Sequence, residues 1–100
     1  MICIKIHTQG RELLIAACDQ DILGKTFRSK DKGLRLEVLE SFYRGDTGDE
    51  EMLVSRLEMA TIANLVGKRT VAIAVKHGFV DPECVLTIGG VPHAQMARMI

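Results

Sequence analysis

The sequence contains no tryptophan, one tyrosine and three phenylalanines in 100 residues. So small a set leaves few rings for stacking on bases or sugars. Two prolines and the lack of any biased tract exclude linkers and low-complexity segments. The three cysteines, Cys3, Cys18 and Cys84, are odd in number and far apart, which argues against a secreted disulfide scaffold and fits reduced thiols in a cytoplasmic protein. Cysteines and histidines (His7, His77, His93) show no CxxC, HxxxH or HExxH spacing, so no metal or other cofactor is expected. Net charge is also missing, because 13 basic residues cancel 13 acidic ones. That balance excludes a nonspecific polyanion binder of the chromatin type while leaving room for a local basic patch. No apolar run approaches the roughly 20 residues of a membrane span. The N-terminus alternates instead of placing an unbroken apolar stretch behind a basic one, so no signal peptide is expected.

What is present is a globular composition, 47% hydrophobic, of a length suited to one domain over residues 1–100 with one core. Residues 1–7 alternate, with Ile2, Ile4 and Ile6 on one side, as a half-buried strand does. A turn at Gln9 and Gly10 would pair Ile6 with Leu13, Ile4 with Ile15 and Ile2 with Ala17, leaving Cys3 and Cys18 only diagonal to one another. Residues 13–18 are apolar on both faces, which predicts a central strand covered on both sides. Residues 19–24 predict one helical turn capped by Asp19 at the front and Gly24 at the back, and residues 25–28 a short strand. A polar turn follows at 29–33, and a strand over 34–39 has Leu34, Leu36 and Val38 on one face. Residues 41–48 read as a loop. Asp49 is a natural N-cap, with Glu50 and Glu51 at the positive end of the helix it opens.

In residues 60–78, Ile62, Leu65, Val66, Val71, Ala74 and Val75 recur at helical spacing. They predict the end of that helix, a corner at Gly67 and Lys68, and a second helix stopped by Gly78. Residues 85–88 predict a strand, Gly89 and Gly90 a bend, and residues 91–100 a last extended or partly helical segment. The fold class expected is α+β: a mostly antiparallel sheet with a two-helix hairpin packed on one face.

Gly24-Lys25-Thr26 invites a phosphate-loop reading, which fails because Asp19 stands where the first glycine belongs and no helix follows. The stronger signal is Lys25, Arg28, Lys30, Lys32 and Arg35, five cations in eleven residues against Asp31 alone. A turn so charged can track a phosphate backbone, with Phe27 as a stacking ring and Lys68 and Arg69 as a flank. It can equally be a solvated hairpin whose basic edge discourages aggregation. Asp46, Asp49, Glu50 and Glu51 match no Ca²⁺ loop and are explained by the helix start. His93 and Gln95, behind Gly89-Gly90 and Pro92, are held in fixed directions and are candidates for ligand contact. No catalytic residue is identified.

Three blocks, residues 13–27 (LLIAACDQDILGKTF), residues 60–75 (ATIANLVGKRTVAIAV) and residues 78–95 (GFVDPECVLTIGGVPHAQ), make the chain resemble the archaeal family called domain of unknown function 424. The resemblance implies a predicted RNA-binding protein in the company of translation proteins; it carries no site residues. Together with the basic turn it leads to the expectation of a non-enzymatic protein partnered by RNA or the ribosome. The alternatives are a small enzyme with a pocket formed by His93, Gln95 and the Asp19 loop, and a module that forms a homo-oligomer through a sheet edge or through Met96 and Met99.

Overall fold

The computed structural model describes residues 1–98. In chain order the elements are β1 (Ile2–Gln9), β2 (Glu12–Asp19), a 3-10 turn at Gln20–Ile22, β3 (Thr26–Arg28), β4 (Arg35–Glu37), α1 (Glu40–Tyr43) and β5 (Asp46–Gly48). There follow α2 (Glu50–Met59), β6 (Ile62–Val66), α3 (Lys68–Lys76), a second 3-10 turn at Pro82–Cys84, β7 (Leu86–Ile88) and β8 (Val91–Ala97). Six strands form one sheet in the order β5-β1-β2-β6-β8-β7, and β3 with β4 forms a separate two-stranded ribbon. Only β2 and β6 pair in parallel; every other pair is antiparallel. The fold is thus α+β with a mostly antiparallel sheet.

The β1-β2 turn falls at Gly10 and Arg11, one position later than expected, so Ile6 faces Ile15, Ile4 faces Ala17 and Cys3 faces Cys18. This moves each partner by two residues. Because side chains alternate with a period of two, every residue keeps its face. Cys3 and Cys18 become direct neighbours, and both are buried free thiols.

The two faces of the sheet carry separate cores. On one, Ile2, Ile4, Ile15, Ala17, Ala63, Leu65, Ala94 and Met96 meet Leu53 and Leu57 of α2 and Val71, Ile73 and Ala74 of α3. On the other, Cys3, Ala16, Cys18, Val66 and Ile88 lie under Leu36, Val38 and Tyr43, with Phe27 and Phe42 packed against them. β2 is therefore apolar on both faces because it is covered on both, as its composition requires.

Residues 62–66 correct one expectation: they form β6 where a helix end was predicted. Ala63 and Leu65 face the helices while Val66 enters the second core. A strand buried on both sides has apolar residues at every spacing, including i, i+3 and i+4, so periodicity alone does not separate it from a helix. The two helices still share one face of the sheet, but a strand stands between them, so they are not a hairpin. Residues 41–48 are likewise not a loop throughout, since α1 and β5 occupy most of them. Asp49 does cap α2, its Oδ1 accepting from the Met52 N–H at 3.1 Å.

The start of α3 is built differently. Its N-cap is Gly67, which has no side chain to offer, and the carboxylate comes from Asp19 at the end of β2. Asp19 Oδ1 accepts from the Thr70 N–H at 2.8 Å and from the Thr70 hydroxyl at 2.7 Å, and Oδ2 accepts from the Arg69 N–H at 3.1 Å. Any Cβ on Gly67 would lie 2.4 Å from Asp19 Cγ, and the residue sits at φ +112°. Glycine is needed there both for the backbone conformation and for the approach of the cap. Asp19 does not cap the 3-10 turn that follows it, as the sequence suggested.

Candidate nucleic-acid interface

The basic turn is the β3-β4 ribbon and its tip. Phe27 lies opposite Leu36, and both point inward onto the second core. Alternation then turns Thr26 and Arg28 outward on β3 and Arg35 and Glu37 outward on β4. Ser29 closes the tip. Its N–H donates to the Leu34 carbonyl at 2.9 Å and its Oγ accepts from the Leu34 N–H at 2.9 Å, so Lys30, Asp31 and Lys32 sit on a tied loop. The ribbon is also fixed from behind. A Cβ on Gly89 would lie 2.9 Å from the Arg28 carbonyl oxygen, so the Gly89-Gly90 turn approaches β3 as closely as a side-chain-free residue permits.

Arg28 and Arg35 are direct cross-strand partners. Like charges directly opposite each other destabilise a strand pair. Arg35 is relieved by an ion pair with Glu37, whereas Arg28, Lys30 and Lys32 take part in no ion pair among the described residues. Lys68, at the start of α3, lines a cleft of about 390 Å³ with Asp19, Asp21, Gly67 and the Gly89-Gly90 turn against which Arg28 packs. The fold thus sets Arg28, Lys30, Lys32 and Arg35 on one ribbon and its tip, with Lys68 on the other side of the Gly89-Gly90 turn that meets Arg28.

The other sequence candidates are placed elsewhere. Lys25 lines a small cleft with Glu37 and Glu40. Arg69 borders a groove of about 650 Å³ between α2 and α3, walled by Asp49, Glu50, Glu51 and Glu58, and on its other side a cleft with Asp19 and Asp21. There Glu50 accepts from Lys76 Nζ at 2.9 Å and bonds His77 Nε2 at 2.8 Å, and these two bonds hold its carboxyl below the usual range. Phe27 is half-buried against the second core, so its ring serves packing.

His93 and Gln95 lie on the sheet face that bears the ribbon, with His93 between Val66 and Leu86. Gln95 Nε2 donates to Asn64 Oδ1 at 2.8 Å. Neither is among the residues that line the cleft at Asp19, and the Asp19 carboxylate is committed to the start of α3. The Val91-Pro92 bond is trans. Met96 is buried in the first core and offers no surface for association, while Met99 falls outside the described residues. Burial pushes the Cys18 thiol up to about 12, with Cys3 and Asp19 adding to the effect, and the Tyr43 hydroxyl up to about 12 as well. Both stay protonated at neutral pH, which makes Cys18 a packing residue and no nucleophile.

Burial lowers the His93 pKa from its ordinary 6.5. The unfolded chain therefore takes up a proton more readily than the folded one, so stability is lost as pH falls below about 6.5. Glu50, depressed by its partners, adds a second loss that begins below its ordinary 4.5. The urea midpoint is expected to rise between pH 5.5 and pH 7.5, and His93→Gln is expected to flatten that segment while leaving the acid limb. A midpoint curve unchanged by the substitution contradicts this assignment.

A family model described as "Protein of unknown function (DUF424)" matches residues 6–99. The fold is similar to the crystal structure of an uncharacterized conserved protein from Methanopyrus kandleri, with 26% identity, a TM-score of 0.77, and coverage of 99% of this chain and 95% of that one. No curated protein matches the sequence. With the match running over almost its whole length, this chain belongs to the DUF424 family.

Proposed function

We propose that the protein is a non-enzymatic RNA-binding protein whose ribbon contacts the phosphate backbone, in a role associated with translation or the ribosome. The observation that carries this reading is the Arg28-Arg35 pair. Arg28 and Arg35 are cross-strand partners on the exposed side of the ribbon, Arg35 paired with Glu37 and Arg28 unpaired among the described residues, with Lys30 and Lys32 on the tied loop beyond them. Glu37 offsets the charge of Arg35 but not that of Arg28, so an anion beside Arg28 adds a charge-assisted partner the fold itself does not supply. A protein of no net charge that sets four of its thirteen cations on one short ribbon and its tip presents there the local field that phosphates require. Lys68 flanks the surface beside the Gly89-Gly90 turn, in a cleft it shares with Asp19 and Asp21, the first of which is bonded to the start of α3.

Arg28, Lys30, Lys32 and Arg35 are assigned to phosphate contact and Lys68 to the flank. Lys25 stands among carboxylates, Arg69 borders the acidic groove and Phe27 is packed, so these three are left out of the contact surface. Purified protein mixed with total cellular RNA at low salt is expected to retain RNA on a nitrocellulose filter. Failure to retain any removes this reading.

A further inference from the structure

Resting on that RNA-binding reading, we infer that the ribbon recognises double-helical RNA through its backbone, without sequence preference, and not unstructured single strands. The argument comes from where the rings are. Proteins that hold single strands without sequence preference stack successive bases on exposed aromatic faces set along a basic groove. All four aromatic side chains of this chain are committed elsewhere. Phe27 packs inward under the ribbon, and Tyr43 is buried in the same core. Phe42 is half-buried and stacks on His7 with ring centroids 4.7 Å apart. Phe79 packs against the first core with the Arg98 guanidinium 5.5 Å above its ring.

The histidines offer no replacement. His7 bonds the Phe42 carbonyl through Nε2 at 2.8 Å, His77 is held by Glu50 in the acidic groove, and His93 is half-buried in the sheet. The basic ribbon therefore presents cations with no stacking platform beside them. Cations alone read phosphate positions. On a single strand those positions fluctuate, and each contact must first order the chain. A duplex offers them at fixed spacing and high density, and double-stranded RNA is recognised mainly by shape and by phosphate and 2′-hydroxyl contacts. The ribbon is rigid enough to exploit a fixed spacing, because Ser29 ties its tip and Gly89 supports Arg28 from behind.

The test compares the full chain binding an RNA duplex of about 20 base pairs, longer than the roughly 16 pairs a duplex-binding domain spans, with oligouridine of equal length at the same salt. The expected result is a Kd for the duplex lower by about tenfold or more, equal for two duplexes of unrelated sequence, and raised when Lys30 and Lys32 are both replaced by Gln. Equal or tighter binding of oligouridine overturns the duplex inference and leaves RNA binding standing. A preference between the two duplex sequences overturns the backbone-only part. Binding of neither probe overturns the RNA-binding reading itself.

Discussion

Asp19→Ala is expected to destabilise the protein by about 3 kcal/mol, more than an ordinary surface change and more than the loss of an isolated helix cap. The difference arises because the cap serves a helix that has none of its own. Removing the carboxylate strips acceptors from the Arg69 and Thr70 N–H groups and from the Thr70 hydroxyl, and Thr70 is completely buried. Water cannot easily replace a partner there, so the full desolvation cost is felt. Asp19→Asn keeps one acceptor and is expected to cost about 1 kcal/mol. In urea, with a slope of roughly 1–3 kcal/mol per molar, Asp19→Ala lowers the midpoint by roughly 1–3 M. Gly67→Ala is severe for a complementary reason, since its methyl collides with Asp19 and its backbone is held at φ +112°. Joined to Asp19→Ala it finds the space vacated, so the double variant is expected to lose less than the sum of the two singles. Strict additivity contradicts the contact described.

Replacing Arg28, Lys30 and Lys32 together by Glu is expected to lower RNA affinity by about 100-fold or more at moderate salt. Each substitution removes a phosphate contact and adds a repulsive charge, so the change in local charge is six. Stability should hardly change, because the three side chains point to solvent and none takes part in an ion pair among the described residues. Opposite Arg35, a Glu at position 28 also converts a repulsive cross-strand pair into an attractive one. Affinity and stability are thus expected to separate: binding falls while the urea midpoint stays or rises. Loss of both together would mean that the ribbon had unfolded.

Much of this molecule can be read from its residues. The alternation in residues 1–7, the doubly apolar β2, the Asp49 cap and the inward Leu36 and Val38 are local signals, each set by one period or one hydrogen bond. The basic turn is visible as composition. What the sequence hides depends on partners far along the chain. β6 reads as helix because burial on both faces erases the period of two, and only its place between β2 and β8 makes it a strand. Asp19 reads as the cap of its own turn because the helix it serves starts at Lys68, far along the chain. Phe27 reads as a stacking ring because its alternation partners are too few to show which side faces inward. The opposition of Arg28 and Arg35 follows from the ribbon register, which the four-residue tip between Ser29 and Leu34 sets.

The most direct measurement is the affinity for total cellular RNA across a salt series, for the unaltered chain and for the Arg28, Lys30 and Lys32 triple reversal. Four phosphate contacts from Arg28, Lys30, Lys32 and Arg35 give a slope of log affinity against log salt of about −3 to −4, nearly abolished in the triple variant. Binding that ignores salt, or a slope unchanged by the three reversals, contradicts a phosphate-reading ribbon.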